Sequence, residues 1–481
     1  MRLTDLVPGV SVDPDVAGIT ADSRQVLPGF LFAALPGAAR DGRQFIADAI
    51  AKGAVAVLAP TGTRIAEPRV ALIIDDDPRH RLALFAARFY ARQPRTICAV
   101  TGTNGKTSVA DFTRQLWMAL GHKAASLGTL GIRAPGFAVK GALTTPDPVA
   151  LHASLARLAA EGVERVAIEA SSHGLEQSRL DGLALTSAAF TNLTRDHLDY
   201  HGDMASYRTA KLRLFDALLP RGATAVLNAD SPDYGAFAEV SRRRGQRVVS
   251  YGVKGEELRL DTVEPRAHGQ RIRFSAAGRR FDRELSLVGG FQAHNALAAL
   301  GLVTASGDDL SEAADALDRI VGAPGRLQLV ATHKSGAPVY VDYAHTPDAL
   351  ETVLRALRPH AEQRLAVVFG CGGDRDRGKR PQMGRIACDL ADRVVVTDDN
   401  PRSEDPATIR AAIMAACPDA REIGDRAEAI YAAVSELQPG DVLVIAGKGH
   451  ESGQIVGTEV RPFDDAEVAR AAIAAVGGKG S

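Results

Sequence analysis

The run Thr101-Gly102-Thr103-Asn104-Gly105-Lys106-Thr107 holds the residue types of a phosphate-binding turn. A glycine-rich turn between a strand and a helix aims several backbone N–H groups at one point, where the helix dipole favours an anion. Lys106 adds a mobile cation, and the Thr107 hydroxyl suits a magnesium ion carried by phosphates. The turn is two residues shorter than the common Gly-x-x-x-x-Gly-Lys-[Ser/Thr] loop. Glu169 and His197 offer a carboxylate and an imidazole that magnesium tolerates. The residues alone leave His197 equally readable as a helix cap. They leave Lys211 a solvated lysine, because an ammonium cannot ligate a cation.

These groups need a scaffold that brings them together. Ile97–Val100 is apolar enough for a buried strand, and Val109, Phe112, Leu116 and Leu120 recur at helical spacing after the turn. Strand-like runs Val163–Ala170, Leu185–Thr191 and Ala223–Leu227 alternate with helical segments, which predicts a mainly parallel sheet. In such sheets ligands gather where loops leave the carboxyl ends of strands. Thr107, Glu169 and His197 each follow a strand, so the pattern predicts that they converge beside the nucleotide phosphates. Leu143-Thr144-Thr145-Pro146-Asp147 is a further hydroxyl-rich turn.

A later series behaves the same way. Pro338–Val341, Leu365–Phe369, Val394–Val396 and Val442–Ala446 read as strands, and each empties into a charged or glycine-rich loop. Their loops hold Asp342–Pro347, Gly370–Pro381, Thr397–Arg402 and Gly447–Glu451. Guanidinium groups match carboxylates bidentately, and these loops are rich in arginine. Before the phosphate turn, Ala54–Leu58 and Val70–Ile74 read as strands, with helices near Ile46–Ala51 and His80–Arg92. The loops Asp22–Arg24 and Pro36–Gly42 read as ordinary turns on spacing alone. The expected architecture is α/β in three domains. A small N-terminal domain spans 1–95, a central P-loop domain with a mainly parallel sheet 96–325, and a Rossmann-like C-terminal domain 326–481.

Composition fits that picture. A chain of 481 residues exceeds one core, and a net charge of −1 calls for neither nucleic acid nor an acidic membrane surface. Cys98, Cys371, Cys388 and Cys417 have no zinc-type spacing and are expected to be reduced thiols. Asp5 and Pro8 fall where a signal peptide needs apolar residues, and no run approaches a membrane span. A cytoplasmic monomer is expected.

Taken together, the chain resembles the Mur ligases, the ATP-dependent amide ligases of peptidoglycan precursor synthesis. The motifs that carry the resemblance, in order, are Gly102–Thr107, Glu169–His173, Asp196-His197, Tyr207–Lys211, His294-Asn295, Gly325-Arg326, Asp342–His345 and Asp399–Arg402. The resemblance implies that Gly102, Thr103, Asn104, Gly105, Lys106 and Thr107 hold the ATP phosphates, joined by Asn295, Arg326, Asp342 and His345. It implies magnesium on Thr107, on Glu169 and His197, and on Lys211 converted by carbon dioxide to a carbamate. Lys106, Lys211, Arg326 and His197 are thereby the implied catalytic set.

For the substrate, a UDP-N-acetylmuramoyl dipeptide, the implied residues are Ser23, Ala38, Ala39 and Arg40, with Thr144, Thr145, Ser171, Gln177 and Arg179. Some relatives carry Asn where this chain has Leu143. The amine donor implied by Asp399-Asn400-Pro401-Arg402 is meso-diaminopimelate, with Arg375, Gly447 and Glu451 as further contacts. Its second carboxylate needs a cationic partner that would penalise lysine. The implied reaction is attack of the D-glutamyl side-chain carboxylate on the ATP γ-phosphate, giving an acyl phosphate that the amine then displaces. The Asp-Asn-Pro-Arg loop and Ser171–Arg179 argue against folylpolyglutamate synthase and the D-Ala-D-Ala-adding ligase. A nucleotide switch would need an Asn/Thr-Lys-x-Asp motif, which is not found, and it leaves the C-terminal loops unexplained. Phosphate activation and amine delivery are expected to meet on one substrate.

Overall fold

The computed structural model describes every residue except Ser11, Ala38, Ala39, Lys140, Ala142, Ala267, His268, Gly478 and Ser481. The chain is a three-domain α/β protein: a small N-terminal sheet, a central mainly parallel sheet, and a C-terminal sheet flanked by helices. It is compacted as two units, residues 1–250 with 301–309, and residues 251–300 with 310–481.

In the first unit, the N-terminal sheet has four parallel strands, Gly18–Thr20, Phe30–Ala33, Ala56–Pro60 and Ala71–Asp75. The two central to the sequence reading are therefore joined by two shorter ones that its periodicity did not reveal. The helix Pro78–Tyr90 begins where Asp77 accepts the His80 N–H, and buries Leu82, Ala83, Phe85 and Ala86.

The same unit holds the strand order Thr224–Asn228, Leu185–Phe190, Thr96–Thr101, Arg165–Glu169 and Ala124–Gly128, all parallel. Parallel strands covered on both faces read as continuous apolar runs, and Ile97, Cys98, Ala99 and Val100 are fully buried. Val109, Phe112 and Leu116 of the helix Lys106–Ala119 are likewise fully buried, as their spacing predicts, whereas Leu120 caps the helix end and is half-buried. Because the strands are parallel, Thr101, Gly128, Glu169, Phe190 and Asn228 all end at one edge of the sheet.

In the second unit, five parallel strands run in the order Arg421–Glu422, Arg393–Val396, Leu365–Phe369, Val442–Ala446 and Pro338–Asp342, followed by antiparallel Gln328–Thr332. This unit also contains an antiparallel ribbon, Leu258–Arg266, Gly269–Ala276 and Arg279–Leu285. The ribbon breaks the strand–helix alternation expected up to residue 325. Its pattern is that of a half-buried antiparallel sheet: Ile272, Phe274 and Phe281 face inward, and arginines and acids pair on the other face.

Candidate functional site

The phosphate turn is built by backbone that only glycine permits. Gly105 has φ 88° at the cap of Lys106–Ala119. Gly102 has φ 149°, and a Cβ there would lie 1.9 Å from Thr191 Oγ1. The turn is pinned from the neighbouring strand end, since the Thr103 N–H donates to the Asn192 carbonyl at 2.8 Å. The Asn104 N–H donates to Asn192 Oδ1 at 2.9 Å. Lys106 Nζ folds back on the turn, 2.9 Å from the Gly102 oxygen and 2.8 Å from that of Thr103.

Glu169 is the hub beside this turn. Its Oε2 accepts the Thr107 hydroxyl at 3.0 Å and the Thr129 hydroxyl at 3.1 Å, and its Oε1 accepts the Thr129 N–H at 2.8 Å. A Cβ on Gly128 would fall 2.1 Å from Oε1, so glycine there makes room for the carboxylate. Thr129 was not among the residues the sequence singled out. It follows a strand end, and the edge rule applied to Ala124–Gly128 would have found it. Carboxylate and hydroxyl oxygens are the hard donors that a magnesium-type cation takes, so this pair fits such an ion. Among the described residues, no group of three or more His, Cys, Asp or Glu side chains is gathered as a metal site.

Lys211, on the helix Met204–Arg213, is 1% exposed, and its Nζ lies 2.8 Å from the Gly102 oxygen and 4.4 Å from the Tyr207 ring centroid. Burial, and then the charge of Lys106, push its amine well below the usual lysine range. The bland reading of a solvated surface lysine is thereby excluded. His197 lies with φ 54° at the cap of a short helix, its ring edge-on to His173 at 5.0 Å between centroids.

The hydroxyl turn continues the network. Thr129 Oγ1 and Thr144 Oγ1 are 3.1 Å apart, and Thr145 Oγ1 donates to the Glu169 carbonyl at 2.8 Å while accepting the Ser171 N–H at 3.0 Å. Arg179 donates to the Thr145 carbonyl and to Gln177 Oε1, both at 2.7 Å. Thr144, Thr145, Ser171, Gln177 and Arg179 are thus one hydrogen-bonded group running from Glu169. Leu143, beside them, is exposed. Ser23 opens a short turn whose carbonyl accepts Lys52 Nζ at 2.9 Å, and Arg40 is exposed. Ala38 and Ala39 lie outside the described residues.

The second unit carries two groups of its own. Asp342 is buried, and its carboxylate accepts the Leu327 N–H at 2.7 Å and the Ala344 N–H at 2.8 Å. Burial lifts its pKa to about 6 against the pull of Arg326. The Arg326 guanidinium stacks on Tyr343 at 4.8 Å, and the Tyr343 ring neighbours His345 and His450 at 4.5 and 5.1 Å. His345 is exposed, with its Nδ1 2.8 Å from the Tyr343 carbonyl oxygen. Asn295 is buried on the helix Gly290–Ala305 and donates to Gln292 Oε1 at 2.9 Å, while Gln292 Nε2 donates to the Arg326 carbonyl at 3.3 Å. Asn295, Arg326, Asp342 and His345 therefore lie in one connected group of the second unit.

In the second group, the loops after three parallel strands interlock. Asn400 Nδ2 donates to Glu451 Oε2 at 2.9 Å, and Arg402 donates to the Gly373 carbonyl at 2.7 Å. A Cβ on Gly447 would lie 2.7 Å from Asp399 Oδ2, and one on Gly373 1.9 Å from the Pro401 oxygen. Arg402 itself has φ 53°, held by its N–H on the Ile455 carbonyl at 3.0 Å. That carbonyl belongs to a hairpin, Gly453–Val456 with Glu459–Pro462, which the sequence reading missed because its alternation is short and mostly exposed. Arg375 is exposed at the rim of the same loops.

Three family models match successive parts of the chain. These are the Mur ligase family catalytic domain over residues 15–90, the Mur ligase middle domain over 100–303, and the Mur ligase glutamate ligase domain over 325–449. A UDP-N-acetylmuramoyl-L-alanyl-D-glutamate–2,6-diaminopimelate ligase of Mesorhizobium japonicum is 54% identical over 98% of this chain and 99% of that protein. The enzyme of the same name from Caulobacter vibrioides is 55% identical over 96% of this chain and 97% of its own length. A solved structure of such a ligase matches with a TM-score of 0.75 at 34% identity, covering 99% of both chains. A folylpolyglutamate synthase of Mycobacterium tuberculosis shares the fold alone, with a TM-score of 0.64 at 21% identity over 82% of this chain and 94% of that one.

Proposed function

Because this chain belongs to the Mur ligase family, we propose that it is the diaminopimelate-adding member, joining meso-diaminopimelate to UDP-N-acetylmuramoyl-L-alanyl-D-glutamate with hydrolysis of ATP to ADP and phosphate. The observation that carries this reading is its full-length similarity to ligases of that name. The interlocked Asp399–Arg402 and Gly447–Glu451 loops support it, since they supply a guanidinium and a carboxylate for an amino acid's two charges.

A carboxylate is a poor electrophile, so the reaction activates it first. The D-glutamyl side-chain carboxylate attacks the γ-phosphorus, the bond to the bridging oxygen breaks and ADP leaves, giving an acyl phosphate. The neutral amine of diaminopimelate then attacks that carbonyl, phosphate leaves, and the amide forms with loss of the amine's proton. No covalent intermediate with the protein is required. Lys106 and the rest of the 102–107 turn hold the phosphates, and Arg326 offsets the charge that builds on the transferred group. Magnesium, when bound, neutralises phosphate oxygens; Thr107, Glu169, His197 and a carbamate on Lys211 would hold it. Carbamate formation requires a neutral amine, and the depressed pKa of Lys211 favours one. Asn295, Asp342 and His345 bind the nucleotide. Ser23 and the 38–40 loop take the uridine end of the substrate, and Thr144, Thr145, Ser171, Gln177 and Arg179 its dipeptide arm. Arg375, residues 399–402, Gly447 and Glu451 take diaminopimelate.

The domain boundaries are placed near residues 95 and 325. As a cytoplasmic step of peptidoglycan precursor synthesis, the activity serves cell-wall growth, cell shape, the cell cycle and division. The test is phosphate release coupled to product mass, with ATP, the UDP-muramoyl dipeptide and either meso-diaminopimelate or lysine. Turnover that requires the dipeptide and prefers diaminopimelate is expected, and turnover without the dipeptide would contradict the reading.

A further inference from the structure

Lys448 is a lysine with no exposed surface, placed between two loops of the proposed diaminopimelate site. Its Nζ donates to Asn400 Oδ1 at 2.9 Å and lies 3.5 Å from Glu451 Oε2. Asn400 Oδ1 also accepts the Ile455 N–H at 2.9 Å, while Asn400 Nδ2 donates to Glu451 Oε2 at 2.9 Å. Taking an ammonium out of water costs several kcal/mol unless it is paired and hydrogen-bonded. An apolar residue of the same length would fill the space without that cost. The position therefore calls for a reason beyond packing.

The reason lies in what a lysine cannot do. An ammonium only donates, so the atom of Asn400 facing it must be the oxygen. Reversing that amide would set its NH2 against both Lys448 Nζ and the Ile455 N–H, and would lose the donor to Glu451. The amide orientation thus follows from its two donors. Lys448 also supplies positive charge beside the half-buried Glu451 and the buried Asp399. Burial lowers its amine's pKa, with Arg426 adding to the fall, against the opposing pull of Asp399 and Glu451.

We infer that Lys448 is a positioning residue for amino-acid specificity: it locks the Asn400 amide and the Glu451 carboxylate into the arrangement that receives the second amino-acid end of diaminopimelate. The inference rests on the assignment of residues 399–402, 447 and 451 to that substrate.

The test compares full-length wild type, Lys448→Met and Lys448→Gln. Lys448→Met keeps the length but removes the donor, whereas glutamine retains an N–H that can reach Asn400. For Lys448→Met, a rise of about tenfold in KM for meso-diaminopimelate and a similar fall in its preference over lysine are expected. The KM values for ATP and the UDP-muramoyl dipeptide should stay within about twofold of wild type. Lys448→Gln should recover most of the preference. Should Lys448→Met not accumulate as folded protein, Lys448→Leu reads the same split. An unchanged preference in the donor-less variant, or an equal rise in all three KM values, overturns the role of Lys448. A wild type that does not add meso-diaminopimelate overturns the assignment of the site itself, and this inference with it.

Discussion

Lys106 and Lys211 bring their amines to one oxygen, the Gly102 carbonyl, at 2.9 and 2.8 Å. Two ammonium groups on one acceptor repel, and one of them is buried. The strain is relieved if Lys211 gives up its proton, and removed if it becomes an anionic carbamate facing Lys106. Lys211→Arg keeps a permanent cation and cannot form the adduct. Its turnover should fall roughly 100-fold or more, on the scale of losing one preorganised electrostatic group. Intact-mass measurement of wild type, with and without added bicarbonate, should show a carbon dioxide adduct that the variant lacks. Full activity in Lys211→Arg would rule out a carbamate role.

Gly128 tests the Glu169 hub without touching its chemistry. A Cβ at position 128 would overlap the carboxylate at 2.1 Å from Oε1 and 2.5 Å from Cδ, so Gly128→Ala must turn Glu169 away from Thr107 and Thr129. The expected result is a loss of turnover approaching that of Glu169→Gln, with a higher magnesium requirement. Thr107→Val, which removes one hydroxyl, should show the same shift in magnesium titration. If Gly128→Ala titrates with magnesium as wild type does, the hub is not a cation site.

Much of the first unit's site was legible because parallel strands make it so. Buried strands are written as unbroken apolar runs, and their carboxyl ends share an edge. Of the three residues placed together from position alone, Thr107 and Glu169 are hydrogen-bonded, while the His197 ring lies against His173 and Tyr207. Lys211 was not legible in that way. Its burial involves Tyr207, one helical turn away, and the Gly102 carbonyl, a contact across more than a hundred residues, and only the family resemblance singled it out. Thr129 escaped because its strand, Ala124–Gly128, is small and weakly apolar. The hairpin that fixes Arg402 escaped for a different reason. Its residues are mostly half-exposed or exposed, so no alternation of burial is written into them. Lys448 is hidden by type, because a lysine between two glycines reads as solvent-facing until its burial is seen.

Asp342 sets a pH dependence of stability. Its carboxyl is raised by burial from 3.8 to about 6, so between those values the folded chain keeps a proton that the unfolded chain has lost. Folding then binds protons, and stability falls as pH rises through this window before levelling above it. Asp342→Asn cannot titrate. The difference between wild-type and variant denaturation midpoints should therefore drift against wild type from pH 4 to 6 and stay constant outside that range. A difference flat across the window would show that the carboxyl keeps its ordinary affinity for protons.

Arg402 decides between two kinds of amine donor. Its backbone adopts φ 53°, unusual for arginine, and is clamped between the Ile455 carbonyl and the Gly457 N–H at 3.0 and 2.7 Å. Its side chain is drawn back to the Gly373 carbonyl at 2.7 Å. Left-handed backbone costs a β-carbon-bearing residue about 1 kcal/mol, so the fold holds a guanidinium here where glycine would be easier. Arg402→Gly should accordingly leave the loop unstrained while removing the fork that pairs with a carboxylate. Hydrogen bonds to a charged group contribute about 1.5–3 kcal/mol, so KM for meso-diaminopimelate should rise roughly 10–100-fold. Affinity for ATP, measured by calorimetry, should not change. Lysine should improve as a substrate relative to diaminopimelate, because an unpaired cation no longer opposes its side-chain ammonium. If Arg402→Gly retains wild-type preference for diaminopimelate over lysine, the selecting charge lies elsewhere in the loops, and Arg375 at their rim becomes the residue to test.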